Sequence, residues 1–208
     1  MRTKIDYGID LGTTNSAIAR IENGKPLIKK SDTLKDTTPS CVSITKKKDF
    51  LVGDTAFNVL KVDSARALKT LEKNGSNSFL EFKRTMGTTH AYESSNLGKA
   101  LSSEELSAEV LKKLKSYIID ENVNSVVITV PAKFLNPQKD ATMKAAKLAG
   151  FKHVELLQEP VAAATAYGLS SKKKDGYWVV FDFGGGTFDA ALIKAEEGIL
   201  AVKDTAGD

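Results

Sequence analysis

Ile9-Asp10-Leu11-Gly12-Thr13-Thr14-Asn15-Ser16 decides how this chain is read. It follows a short apolar run, Ile5 to Ile9, and passes directly into small hydroxyl and amide residues. Glycine at 12 lets the backbone approach a bulky anion closely. Thr13, Thr14 and Asn15 then offer backbone N–H groups and side-chain donors where the chain turns back, which suits a phosphate cradle. Asp10, at the end of a strand, is placed to hold Mg²⁺ directly or through its waters. The device returns at Val179-Val180-Phe181-Asp182-Phe183-Gly184-Gly185-Gly186-Thr187-Phe188-Asp189. One Asp-x-Gly turn is an ordinary hairpin signal. Two copies of strand–Asp–x–Gly with a threonine close behind imply a duplicated α/β architecture gripping one phosphate chain between two halves.

The rest of the chain fits that frame. Its 208 residues suffice for one large or two modest domains, and 41% hydrophobic with 27% charged residues is a globular composition. The net charge of +4 is mild. Lys46-Lys47-Lys48 and Lys172-Lys173-Lys174 lie beside turn formers with no interleaved aromatics, so they read as solvated loops and no nucleic-acid partner is expected. The single cysteine, Cys41, favours a reducing compartment and sits in an apolar-alternating strand as a buried residue rather than a nucleophile. Asp6 and Asp10 interrupt what would have to be a signal peptide's apolar region, and no run approaches a membrane span. A soluble, cytoplasmic protein with no membrane partner is expected.

Taken in order, strands are predicted at Ile5–Ile9, Ser16–Arg20 and, after Asn23-Gly24, Pro26–Lys30. Residues 36–97 read as an inserted subdomain, with a strand at Cys41–Thr45, a helix near Asp54–Val62 and a polar loop around Asn74–Asn77. Ser102-Ser103-Glu104-Glu105 is a capping box opening a helix to Asp120, with Leu106, Val110, Leu111, Leu114 and Ile118 at helical spacing. A buried strand, Ser125–Val130, ends at Pro131. Asn136-Pro137 starts another helix, stopped by Gly150. Val154–Leu157 is a short strand, and Glu159-Pro160 opens an alanine-rich helix to Tyr167, its small face suited to close packing. Lys172–Gly176 is a linker. Strands at Tyr177–Asp182, Phe188–Lys194 and Gly198–Asp204 form a second meander that breaks off uncovered, so the chain reads as the leading part of something longer.

With these segments in place the sequence resembles the DnaK-type chaperones, the seventy-kilodalton heat-shock family. The matching stretches are Gly8 to Ser16, Thr38-Pro39-Ser40, Phe82-Lys83-Arg84 with Gly87, and Val130-Pro131-Ala132 with Phe134. They continue with Glu159-Pro160 followed by Ala162-Ala163-Ala164 and Ala166-Tyr167-Gly168, then Asp182 with Gly184 to Asp189, and Thr205-Ala206-Gly207-Asp208. The resemblance implies an α/β, actin-like ATPase (ribonuclease H-like) fold. Residues 1–35 and 98–171 would form the core of the first lobe, 36–97 its inserted smaller subdomain, and 172–208 the opening strands of a second lobe.

It further implies ATP or ADP and Mg²⁺ as cofactors. Asp10 and Asp182 would organise the metal mainly through water. Gly12, Thr13, Thr14 and Asn15 would cradle the phosphates, with Gly184, Gly185, Gly186 and Thr187 opposite them. Lys83, Glu159, Asp182 and Thr187 would be the catalytic set: Lys83 at the γ-phosphate and attacking water, Glu159 binding a metal water or orienting the nucleophile. Read without the family, Lys83 is a solvated lysine in a Lys-Arg pair, and Glu159 a helix-start charge favoured by the dipole. Pro131 and Lys139 would relay nucleotide state. Partners implied are unfolded polypeptides, bound by a C-terminal domain beyond these residues, a J-domain co-chaperone and a nucleotide-exchange factor.

Departures from the family pattern fall on communication. Lys133 stands where tyrosine is usual and Lys139 where arginine is usual, which loses a planar fork. Glu155 replaces an arginine that bacterial members use towards the J-domain, and Gln158 replaces an asparagine. A divergent paralogue is the reading these favour. A sugar kinase, a filament-forming ATPase or a non-hydrolysing nucleotide sensor would share the two turns, and the Lys83 and Glu159 segments argue against them. Residues 1–208 alone are expected to bind MgATP weakly and turn it over little, and to expose a sheet edge and face.

Overall fold

The computed structural model describes residues 5–70, 77–168, 175–185 and 187–207, the side chains of 66–70 and of Thr187 excepted. In chain order these give β1 (Tyr7–Leu11), β2 (Asn15–Glu22), β3 (Lys25–Ile28), β4 (Thr38–Pro39), β5 (Val42–Ile44), β6 (Phe50–Val52) and α1 (Asp54–Thr70). They continue with β7 (Ser78–Phe79), a 3₁₀ turn at Phe82–Thr85, β8 (Ala91–Ser94), β9 (Lys99–Ser102), α2 (Ser103–Ser116), β10 (Ser125–Val130) and α3 (Asn136–Leu148). The last are β11 (His153–Gln158), α4 (Glu159–Ala166), β12 (Gly176–Gly184), β13 (Thr187–Glu196) and β14 (Ile199–Gly207).

The main sheet runs β11-β10-β1-β2-β3, with β4 added on β2. β11, β10 and β1 are parallel, whereas β1, β2 and β3 form the antiparallel meander expected from the sequence. Alternation assigns the faces. Ile9 lies in register with Ile128, and both are buried. They meet α2 and α3 in a core that includes Leu106, Val110, Leu111, Ala145 and Ala146. The neighbouring residues Asp10 and Thr129 therefore point to the opposite face. No helix among the described residues is long and apolar enough to cross a membrane.

α2 starts as its capping box dictates. Ser102 Oγ accepts from Glu105 N at 3.2 Å, and Glu105 Oε2 accepts from Ser102 N at 2.8 Å. It ends at Ser116 rather than Asp120, because Tyr117 N and Ile118 N turn to i−3 carbonyls and tighten the last turn. α1 runs to Thr70, beyond the expected Val62, since no glycine or proline interrupts residues 63–70. The hairpin β8–β9 was not anticipated. It turns through Ser95–Gly98, where Asn77 Oδ1 accepts from Ser94 Oγ at 2.8 Å and Asn96 N at 3.0 Å, and it spans the 97/98 boundary of the expected subdomain. Cys41 lies just before β5, fully buried, and burial pushes its thiol up to about 12.

β12, β13 and β14 form a separate antiparallel sheet, each strand longer than expected. One face, with Ala191, Ile193 and Ala195 buried, is packed by α4 through Ala164. Only Ala164 of the alanine-rich face is fully buried, and Ala166 is exposed. The other face is open: Tyr177, Val179, Phe181 and Phe183 line it at 65%, 55%, 68% and 86% exposure. α4 touches both sheets, and so sets one half of the chain against the other. The expected linker at Lys172–Gly176 and loop at Asn74–Asn77 lie mostly outside the described residues.

Candidate functional site

The site begins at the β1–β2 turn. A Cβ on Gly12 would lie 2.0 Å from the Asn15 carbonyl oxygen, so only glycine permits this turn. Two buried serines pin it. Gly12 N donates to Ser16 Oγ at 3.1 Å, Ser40 Oγ donates to Gly12 O at 2.7 Å, and the two hydroxyls are 2.9 Å apart. Ser40 N also donates to Thr14 O at 2.8 Å. With its inner polar atoms occupied, the turn leaves Thr14 and Asn15 exposed and Thr13 half-buried. Asp10 is exposed beside it and accepts from Thr129 Oγ1 of β10 at 3.1 Å.

Lys83 arrives from the 3₁₀ turn, whose entry residue Glu81 adopts left-handed φ 55° and ψ 16°. The turn buries Lys83 to 8% exposure. Its Nζ donates to Glu159 Oε1 at 2.7 Å and stands 5.9 Å from the Phe134 ring centroid. Thr85 fixes the turn's far end through hydroxyl contacts of 2.7 Å to both Tyr92 and Ser103. Glu159 is the first residue of α4, followed by Pro160. Burial raises its carboxyl above the usual range. Lys83 opposes that rise by charge and hydrogen bond, and the negative charges of Asp10 and Asp182 add to it. Asp10 of β1 and Asp182 of β12 thus act on the Glu159 carboxylate, which one buried ammonium holds.

The second turn faces the first. Gly184 pairs with Thr187 across a tight glycine turn. Gly185 has φ +61°, and a Cβ there would lie 3.2 Å from Thr14 Oγ1 and 3.4 Å from Thr13 Cβ. Arg84 Nη2 donates to Gly185 O at 3.1 Å. Pro131, Lys133, Glu159, Asp182 and Asp189 line a cleft of about 20 Å³ between the halves, room for about one water.

The structure therefore brings Asp10, Gly12, Thr13, Thr14, Asn15, Lys83, Glu159, Asp182, Gly184 and Gly185 into one region. Thr187 enters it by its backbone, while its side chain and Gly186 lie outside the described residues. Lys139 sits half-buried on α3, does not line the cleft, and makes no ion pair with a described residue. Sequence reasoning assigned no role to Ser16, Ser40, Thr129 or Arg84. The serines were visible only as members of quoted motifs, because pairing residues 24 apart needs the fold.

The donor set fits a magnesium-bound phosphate chain: hard oxygen donors, a glycine turn free of side chains and a buried ammonium. Among the described residues no three carboxylate, imidazole or thiol groups cluster closely enough to hold a metal outright, so a cation here would keep part of its water shell. The two turns stand close together, since a side chain on Gly185 would press on Thr13 and Thr14.

Comparison with known proteins settles the family. The family model described as Hsp70 protein matches residues 6–208. This chain belongs to the Hsp70 family. It is similar to the chaperone protein DnaK of Mycoplasmopsis agalactiae, 40% identical over 211 residues, covering 100% of this chain and 33% of that protein. The chaperone protein dnaK of Trieres chinensis is 41% identical over 217 residues, covering 97% and 35%. Heat shock 70 kDa protein 7, chloroplastic, of Arabidopsis thaliana is 38% identical over 216 residues, covering 97% and 30%. The chain spans about a third of the length of these curated relatives. The Hsp70 assignment carries the actin-like ATPase fold, and the mixed main sheet with its helices agrees with it.

Proposed function

We propose that residues 1–208 are the N-terminal part of the ATP-binding and ATP-hydrolysing domain of a DnaK-type chaperone, in which MgATP hydrolysis drives binding and release of unfolded polypeptides. The observation that carries this is the Lys83–Glu159 contact of 2.7 Å, set in the field of Asp10 and Asp182 within an Hsp70 chain. In this reading Gly12, Thr13, Thr14 and Asn15 bind the phosphates from one half, and Gly184, Gly185, Gly186 and Thr187 from the other. Asp10 and Asp182 hold Mg²⁺ mainly through its waters, and the bound metal supplies charge neutralisation.

Phosphoryl transfer to water needs positioned charge more than covalent chemistry. Lys83 places a buried ammonium where negative charge accumulates. Its bond occupies Glu159 Oε1 and leaves Oε2 to accept from a water and orient it. A carboxyl raised by burial is also a better proton acceptor than an exposed one. Lys83→Ala tests the assignment. Single-turnover phosphate release by the protein carrying this sequence should fall by roughly 10²–10³, as for loss of one preorganised electrostatic group, while ATP still binds. Unchanged release would remove Lys83 from the mechanism.

Pro131 and Lys139 are the residues assigned to relay nucleotide state, in a cycle that includes a J-domain co-chaperone and an exchange factor. Glu155 lies 63% exposed on β11, its carboxylate 3.3 Å from His153 Nε2. A carboxylate there repels an acidic partner surface, so standard J-domain stimulation is weakened and the protein reads as a divergent paralogue. Glu155→Arg should restore stimulation by a cognate J-domain; equal stimulation of native and variant proteins would sink that idea. A cytoplasmic location belongs to the same reading. The remaining third-length consequence is weak MgATP affinity for residues 1–208 alone, against which micromolar affinity in a calorimetric titration would count.

A further inference from the structure

Lys133, the lysine on the loop after β10, is used by none of the chemistry above, yet it reaches across the cleft. Its Nζ donates to the Gly207 carbonyl oxygen at the end of β14 and lies 4.0 Å from Asp189 Oδ1 on β13. Both acceptors belong to the second sheet, whereas Lys133 belongs to the first half. Asp189 is the cross-strand partner of Asp182, so the strand pair that Lys133 grips also carries a proposed metal-organising carboxylate. On the other flank Arg84 holds the carbonyl of Gly185. Glu159, Asp182 and Asp189 line the cleft and Asp10 adds its charge at Glu159; repulsion between Glu159 on one side and Asp182 on the other favours separation of the halves.

We propose that Lys133 is a positioning residue: a cationic clasp that holds the β12–β14 sheet closed on the first half, so that its release accompanies parting of the two turns. The clasp itself rests on the contacts to Gly207 and Asp189. Its consequence for nucleotide exchange rests on the phosphate-binding reading of the same turns. With the clasp shut, the Gly185 turn stands so close to Thr13 and Thr14 that even an added Cβ would press on them, and parting the turns widens the way for phosphate. A side chain without charge at 133 lets the turns part more often, which speeds both entry and exit of nucleotide.

Cys41 is the single cysteine of residues 1–208 and is fully buried, so two cysteines introduced there can be labelled selectively once any exposed cysteine outside these residues is replaced by serine. Spin labels at exposed Asn122 of the first half and Lys203 of the second sheet report the separation between halves in the full chain without nucleotide. Lys133→Arg, which keeps a cation within reach, should leave the native distance. Lys133→Met should shift or broaden the distribution to longer distances. Lys133→Glu, which sets a fifth carboxylate against Asp189, should open it further. That graded order follows charge, and a packing role would not produce it; Lys133 is exposed, so none of the three variants disturbs the core. One distance shared by all four proteins would overturn the clasp. Adding a fluorescent MgATP analogue separates the two claims. Several-fold faster association and dissociation in Lys133→Met, with affinity little changed, is the expected result. Opening in Lys133→Met with no analogue binding by any of the four proteins would keep the clasp and overturn the phosphate-binding reading. Unaltered exchange rates despite opening would overturn the coupling between them.

Discussion

Gly12 shows what a single residue contributes to the candidate site. Its missing side chain leaves room for the Asn15 carbonyl, and the resulting turn is locked by Ser16 and Ser40. Gly12→Ala forces a methyl group to within 2.0 Å of that oxygen, so the turn must open. Lost packing and hydrogen bonds of this kind cost about 1–3 kcal/mol, and the proposed phosphate cradle would be lost with them. Thermal unfolding and ATP-analogue binding measured together check this: both should fall, and full retention of binding would show that the turn is not the cradle. The glycine was legible because the strand–Asp–x–Gly turn recurs at Asp182, where one copy alone would be an ordinary hairpin signal. Lys83 was not legible from local chemistry. In the chain it is one cation of a Lys-Arg pair, and its burial depends on the left-handed Glu81 and on Phe134, 51 residues later.

At the scale of elements, helices announce themselves where caps and periodicity agree. Both capping-box bonds of Ser102 and Glu105 form, and the apolar stripe of α2 is buried as its spacing requires. Ser102→Ala should cost about 1 kcal/mol of stability, read as a lower denaturation midpoint at constant m-value. No change would mean that tertiary packing alone holds the start of α2. Hairpins with irregular turns are harder. β8–β9 closes on a turn satisfied by Asn77, a residue from another strand pair's end, so its signal is not local. The two glycine turns also differ more than their shared motif suggests. The first is an open loop between Leu11 and Ser16, and the second a two-residue hairpin between Gly184 and Thr187.

Across the whole molecule, α4 is the pivot of the arrangement. Its first residue binds Lys83, while Ala164 packs the second sheet. The sheet it covers has an open face of Tyr177, Val179, Phe181 and Phe183, too apolar to sit comfortably in water. The sequence indicated the three strands of this sheet, from Tyr177 to Asp204. It did not indicate how closely the two turns approach, because that distance depends on Arg84 and Lys133 reaching across from separate elements. Residues 1–208 should self-associate through this face. Phe181→Ser with Phe183→Ser should lower both association and dye binding without lowering the melting temperature by more than a few degrees; association unchanged by the pair would place the contact elsewhere.

In the proposed function, the two turns and the Lys83–Glu159 pair serve ATP hydrolysis by the complete protein. Single-turnover phosphate release, compared between the native protein carrying this sequence and its Lys83→Ala variant, tests it most directly. Release by the native protein, with loss in the variant despite retained ATP binding, is the predicted result. Equal release from both, or ATP bound by the native protein without release, would contradict it.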